Sequence, residues 1–332
     1  MIARSLAELS NDEVMSWRDA FHKSGCRIQQ SPCYALALQR SGEQVGVAHG
    51  DGLMAVFTVA DKVATVVCAD IPVLSSALAP PDQVALMLRE IRRLTGLSVY
   101  MPLVDASYRA LAELAPVRLW ARPPNSVIDW ADDGAGLLER ARIRGGSQID
   151  RKRRLIERDG LILCSSLSAE STEREVLAVD DRSWKAAAGQ SLRQRGRQAA
   201  LYAALIGLQV ASVTFLRHNG TAVAFRIDAQ IASRLMCLKW SYDQAYARYS
   251  PGTYLLTTGL IAGWAGRGIR TVDLCGSPDH LKDLIYSHRV PRIDVWYGDG
   301  SAGRELEQER LAFDARLRAN AQAGKGLRHA YP

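Results

Sequence analysis

Long apolar runs are missing from this 332-residue chain. The longest, Leu201 to Leu216, is interrupted by Gly207, Gln209 and Ser212, and it falls short of the roughly 20 residues that a bilayer crossing needs. No secretory signal is expected in this N-terminal stretch, because Glu8, Asp12 and Glu13 stand where its apolar segment would lie. Cysteines are scattered: Cys26, Cys33, Cys68, Cys164, Cys237 and Cys275 form no C-x-x-C pair, and no histidine stands at zinc-ligand spacing from a cysteine pair. The common zinc and dithiol motifs are thereby excluded. No metal is expected, and unpaired thiols fit a reducing, cytoplasmic compartment. There is no Walker A and no G-x-G-x-x-G after a strand, so nucleotide hydrolysis and dinucleotide binding lack support. No internal period of roughly 20–50 residues marks a solenoid or an array.

What remains is the composition of a packed protein, 48% hydrophobic and 23% charged, long enough for about two domains. The formal charge of +7 favours anionic partners. A phosphorylated cofactor, RNA, an acidic carrier protein or a membrane surface would each serve. The excess is uneven: Arg140–Gly160 holds eight Lys/Arg against three Asp/Glu, and Ala312–Pro332 holds four against one.

Periodicity and capping residues predict alternating helices and short strands. Helices are expected from Asn11 to about Ser24, from Ser31 through Leu38, and from Pro80-Pro81-Asp82 to about Leu94. Strands are expected at Gln44–His49, Leu53–Val59, Val63–Cys68, Leu97–Leu103 and Val117–Ala121, with Pro123-Pro124-Asn125 as a break before Ser126–Trp130. Beyond Ala131-Asp132-Asp133-Gly134 the outline repeats. A basic helix, Ser147–Arg158, is closed by Gly160, and three strands (Ala211–Arg217, Thr221–Ile231, Arg234–Trp240) precede a helix from Thr253 to about Ala265. The expected class is α/β (α+β), with mixed, mostly antiparallel sheets flanked by helices. Its parts are residues 1–133, residues 134–322 and a basic tail, 323–332.

The stretch Met236–Asp273 carries most of the chemical information. Its loop, Ser241–Thr253, delivers the chain onto a helix start through Ser250-Pro251-Gly252-Thr253. Gly252 allows close backbone approach, and amides at such a start bind phosphate or pyrophosphate. An ordinary loop with Ser250 as a helix cap is the competing reading.

Ser241-Tyr242-Asp243 through Ser250-Pro251-Gly252-Thr253-Tyr254, then Gly268-Ile269-Arg270-Thr271-Val272-Asp273-Leu274-Cys275-Gly276 and Leu281-Lys282, resemble the GNAT-superfamily acyltransferases of the cellulose-biosynthesis type. These are relatives of the Fem-type aminoacyl-tRNA-dependent peptidyltransferases. The basic stretch Arg144–Gly160 and the segment Arg182-Ser183-Trp184-Lys185 resemble the same family, so the likeness covers about residues 140–298 in order. The first third is similar only as a degenerate GNAT-like half, which makes the implied architecture a tandem one. Two departures stand out. Ser250-Pro251-Gly252-Thr253 replaces the family's glycine-rich loop, and Leu281 precedes Lys282 where relatives usually carry a tyrosine.

The resemblance implies acyl transfer from an acyl-thioester, by default acyl-CoA, to an amine or hydroxyl of a small molecule, peptide or glycan. Aminoacyl-tRNA or a carrier protein is the alternative donor, and a non-catalytic anion-binding module is the third reading. Lys282 is the candidate for oxyanion or phosphate charge. Asp243 and Asp273 are candidates for receiving the acceptor's proton, with Asp273 equally a residue that bonds backbone donors in the Gly276 turn. Ser250, Gly252, Thr253 and Tyr254 would hold the donor, with Arg151 and Arg154 of the basic helix attracting its phosphates or a tRNA backbone. Trp184 and Tyr242 would line the acceptor pocket. Cys275, with His280 and His288 nearby in sequence, is a minor candidate for covalent catalysis.

Overall fold

The computed structural model describes residues 2–24, 28–50, 53–66, 81–113, 116–131, 134–165 and 169–326. Cys26, Cys68, Pro80 and the aspartates of the expected 131–134 boundary lie outside them, as do Asp51-Gly52 and residues 327–332 of the tail. The first part contains β1 (Ile2–Ser5), α1 (Asn11–Ser24), α2 (Pro32–Arg40), β2 (Val45–Gly50), β3 (Leu53–Ala60), β4 (Val63–Val66), α3 (Pro81–Thr95), β5 (Ser98–Asp105) and β6 (Val117–Asp129). There follow α4 (Ala135–Gly145), α5 (Gln148–Arg158), β7 (Ile162–Ser165), α6 (Ala169–Asp181), α7 (Trp184–Ala187) and α8 (Gly196–Gly207). The remainder is β8 (Ser212–His218), β9 (Thr221–Ile231), β10 (Arg234–Tyr242), α9 (Pro251–Leu256), α10 (Thr258–Trp264), β11 (Thr271–Asp273), α11 (His280–Ile285), β12 (His288–Tyr297) and α12 (Gly300–Gly326).

All described strands join one sheet in the order β1-β2-β3-β4-β5-β12-β6-β11-β10-β9-β8-β7. Pairing is antiparallel except between β4 and β5 and between β10 and β11. The last strand, β12, inserts between β5 and β6 of the first part. The two parts therefore share one hydrogen-bonded ladder. Packing follows the same rule: Val47, Val56, Met101, Phe215, Phe225 and Ile293 belong to one continuous core on the side that carries α2, α3, α6 and α8. A second core, with Leu235, Cys237, Leu256, Leu260 and Val272, lies beneath α4, α9, α10 and α11.

Local chemistry explains most boundaries. Ser31 caps α2 by accepting the amide of Tyr34. Asn219 and Gly220 both take positive φ, 49° and 78°, as the tight β8–β9 hairpin requires. Gly160 closes the basic helix at φ 71°.

Three expectations need correcting. Pro123-Pro124 does not break the chain into two strands, because β6 runs unbroken from Val117 to Asp129. The prolines pass without penalty since β11 pairs only with Val127–Asp129 and the β12 register shifts opposite them, between Val290 and Arg292. No ladder bond is asked of the missing N–H groups. The expected Thr253–Ala265 helix is two short helices, interrupted at Thr257, where φ −117° and ψ −90° leave the helical region. Finally, α4 was not expected at all, and α12 extends into the expected tail as far as Gly326. No described helix is long and apolar enough to cross a membrane.

Candidate active site where β10 and β11 part

β10 and β11 run side by side for only three residues, Arg234–Met236 against Thr271–Asp273. Then they separate. Cys275 (φ 46°) and Gly276 (φ 67°) turn the chain out of the strand direction, and Cys275 donates its amide to Asp273 Oδ1 at 2.9 Å. β10 continues to Tyr242, held on its other side by β9, with a register shift between Cys237 and Lys239. Such a bulge adds twist and re-aims the strand.

The alternation of an antiparallel ladder decides which backbone groups the opening receives. Asp243 N–H donates to Val223 O of β9 at 2.8 Å, so Ser241 and Lys239, two and four residues back in unbroken register, also turn their backbone groups toward β9. Trp240, between them, turns its N–H and C=O the other way, toward the side β11 has left. An unpaired strand edge facing a wedge can pair with an extended ligand chain or stabilise an oxyanion.

Lysines crowd this opening. Lys185, on α7, donates from Nζ to Trp240 O at 2.6 Å. Burial, and then the positive charge of Lys239, push its ammonium down to about 7, against the opposing pull of Asp180 and Asp279. Lys239 is part-buried beside Asp180, Nζ to Oδ2 3.5 Å, and desolvation lowers its pKa too. Asp180 Oδ2 also accepts the Leu192 amide at 2.7 Å, whereas its Oδ1 and the buried Ser241 Oγ find no partner among the described residues. Lys282 is 3% exposed. Its ammonium donates to the carbonyls of Cys275 and Ser277 and lies 5.3 Å from the Trp240 ring centroid, with its pKa lowered by burial. Lys282 thus ties down the turn that opens the wedge.

The predicted proton acceptors are both engaged. Asp243 caps the turn after β10 by accepting from the Ala245 amide at 2.9 Å, and its other oxygen accepts from Arg182 Nε at 2.6 Å. Asp273 accepts from Asn125 Nδ2 at 2.7 Å as well as from the Cys275 amide. The bond from the Cys275 amide is one from a backbone donor in the Gly276 turn.

The predicted donor-binding residues gather at the start of α9. Ser250 takes the left-handed conformation at φ 52°, uncommon for a residue with a Cβ. Gly252 is buried against α11, where an added Cβ would meet Leu281 Cδ1 at 3.0 Å. A small pocket beside it is lined by Ser250, Thr253, Tyr254 and Thr257 together with Lys152 and Arg153 of α5. The basic helix therefore does meet the α9 start. It does so through Lys152, which donates to Arg248 O, and Arg153. Arg151 and Arg154 point to solvent, Arg151 bonded to Gln148 at 2.7 Å.

Trp184 is 46% exposed next to Lys185, while Tyr242 packs in a separate cluster with Tyr249 and Leu255. Cys275 is buried, and His288 is exposed at the start of β12, 3.3 Å from Asp129. Among the described residues no group of three or more His, Cys, Asp or Glu is placed to hold a metal.

Sequence reasoning did not single out Lys185, Lys239, Asp180 or the Trp240 peptide. Lys185 was within reach, since it ends the quoted Arg182–Lys185 segment. The Trp240 backbone carries no sequence signal, because only ladder parity reveals it.

Residues 143–283 match the family model described as an acetyltransferase (GNAT) domain. No curated protein sequence matches the chain. Among solved structures, the C-terminal domain of a putative lysylphosphatidylglycerol synthetase from Agrobacterium fabrum is similar at TM-score 0.61 and 13% identity, over 90% of this chain and 96% of that one. FemX is similar at TM-score 0.61 and 11% identity, over 92% and 99%. A tandem GNAT protein from the clavulanic acid biosynthesis pathway is similar at TM-score 0.51 and 12% identity, over 89% and 96%. The fold is GNAT-type and Fem-like.

Proposed function

Starting from that fold, we propose that the chain is an acyltransferase whose donor lays its acyl group in the opening between β10 and β11. The default donor is an acyl-CoA, and the acceptor is an amine or hydroxyl of a small molecule, peptide or glycan. Residues 134–322 would form the transferase part and residues 1–133 a degenerate partner half. The observation that carries this reading is the Trp240 peptide, turned into a wedge lined by lysines.

An activated acyl ester needs chiefly alignment, which supplies up to about 7–11 kcal/mol in ideal cases. An extended donor arm can pair with the open edge of β10. Its carbonyl oxygen, on becoming an oxyanion, is met by the Trp240 N–H, and Lys282 adds positive potential from behind the Cys275 turn. The α9–α5 pocket is too small to enclose a phosphate, but Lys152 and Arg153 beside Thr253 put positive potential at its mouth, where the donor's phosphates would lie.

A second reading, aminoacyl-tRNA as donor, draws on the exposed Arg151, Arg154 and Arg158 of α5. Heat stability of the purified protein with acetyl-CoA, and separately with charged tRNA at several salt concentrations, separates the readings. Stabilisation by coenzyme A at low micromolar levels with little salt dependence supports the first. A steep loss with salt supports the second. Response to neither, with no transfer to a panel of amines, leaves a carrier-protein donor or the non-catalytic module.

A further inference from the structure

We propose that Lys185 is the base that receives the acceptor's proton during acyl transfer. The assignment rests on the transferase reading above and gives it a residue and a step.

Three observations converge on this side chain. Its Nζ is bonded to the carbonyl of Trp240, the residue whose N–H lies beside that carbonyl on the same open edge. A donor carbonyl held by the N–H therefore comes to rest next to the lysine. Secondly, Asp243 and Asp273 are committed to Arg182, Asn125 and backbone amides. Asp243 is hydrogen-bonded through both oxygens and Asp273 through Oδ1, each within a turn on its own strand end, whereas Lys185 lies on the open edge itself. Thirdly, the charged groups facing Lys185 are Lys239 from β10, Asp180 from α6, Asp279, which caps α11, and Lys282 within α11. Its half-buried stem and the two like charges outweigh the two acids, so that the amine is neutral for part of the time near pH 7. A neutral amine bonded to one carbonyl still offers its lone pair.

The step balances. As the acceptor nitrogen or oxygen adds to the thioester carbonyl, its proton passes to Lys185 Nζ and a tetrahedral oxyanion forms. Collapse restores the carbonyl and breaks the C–S bond. The sulfur leaves with the electron pair, and the Lys185 ammonium returns the proton to it.

The test uses the whole chain with acetyl-CoA as donor, a panel of primary amines as acceptor probes, and the variants Lys185→Met and Lys185→Arg. Arginine keeps a donor for the Trp240 carbonyl but does not release a proton, which guards against simple misfolding. Expected is a fall in kcat of about 10²–10⁴-fold in both variants, with the KM for acetyl-CoA little changed. In the wild type, kcat/KM should rise with pH through about 7, and the variants should lose that limb. A second readout needs no turnover: trinitrobenzenesulfonate should label Lys185 of the wild type with a rate that titrates near 7, located by peptide mass mapping. Wild-type rates in Lys185→Arg, or labelling that begins only near the ordinary lysine range, overturn the assignment while leaving the transferase reading intact. Absence of turnover with every donor overturns both.

Discussion

Replacing Lys282 by methionine separates a structural role from a chemical one. The substitution keeps the apolar stem and removes an ammonium that donates to the carbonyls of Cys275 and Ser277. A buried acceptor stripped of its donor costs about 1–3 kcal/mol. Cys275 O bears that cost more fully, because Ser277 is part-exposed and recovers water. The ammonium's contact with the Trp240 ring is also lost, about 1 kcal/mol for a partly desolvated cation–π pair. Against these stands the desolvation that already lowers the Lys282 pKa and that methionine does not incur. The net expectation is a destabilisation of about 2–3 kcal/mol. At roughly 2.1 cal/mol/K per residue, unfolding of the whole chain carries an entropy near 0.7 kcal/mol/K, so Tm should drop by about 3–4 °C. Differential scanning calorimetry of both proteins at equal concentration measures it. An unchanged Tm would refute the claim that this lysine ties down the turn, and would return it to the oxyanion role alone.

The fully buried Arg226–Asp228 pair, which also receives Trp264 Nε1 at 3.0 Å, gives a second case. Asp228→Leu strands the guanidinium and should cost about 3–5 kcal/mol, whereas Arg226→Met with Asp228→Leu should recover part of the loss. Urea denaturation of the three proteins checks the order, and a double variant worse than the single one contradicts it. Gly303→Ala should cost about 1–3 kcal/mol by overpacking, because the new Cβ would lie 2.7 Å from Trp296 Cδ1. A wild-type urea midpoint would show that α12 shifts without cost. Stability should also depend on pH with a definite sign. Lys185 titrates near 7 when folded, against an ordinary 10.5, so between those values the unfolded chain holds the extra proton. Stability should rise with pH across that window, by at most about 1.4 kcal/mol per pH unit for this group, with Lys239 and Lys282 acting in the same direction. Urea midpoints from pH 7 to pH 9, flatter in Lys185→Met than in the wild type, are the expected result. Equal slopes count against a perturbed lysine.

What was legible in the chain follows from the range over which each cause acts. The Ser31 cap, the Asn219-Gly220 hairpin and the Gly160 helix end are decided within a few residues, and each forms where its residue types demand. Pro123-Pro124 misled for the complementary reason. A proline opposes a strand only if a neighbour asks for its N–H, and that depends on β11 and β12, which arrive about 150 residues later. The meeting of the α9 start with the basic helix was visible as charge beside a loop, yet which basic residues turn inward is a matter of helix phase. Ile149 and Ile156 are buried, which leaves Lys152 and Arg153 on the flank facing Thr253. The wedge itself had no local cause to read. It exists because a register shift near Leu238 and a left-handed turn at Cys275-Gly276 pull two parallel strands apart, some 40 residues from each other in sequence. Its chemistry is correspondingly tertiary. An unremarkable lysine after Trp184 acquires a perturbed proton only when α7 is laid across the open edge of β10. Local sequence rules thus place the scaffold, and the reactive groups are those that the scaffold holds together against their ordinary solution behaviour.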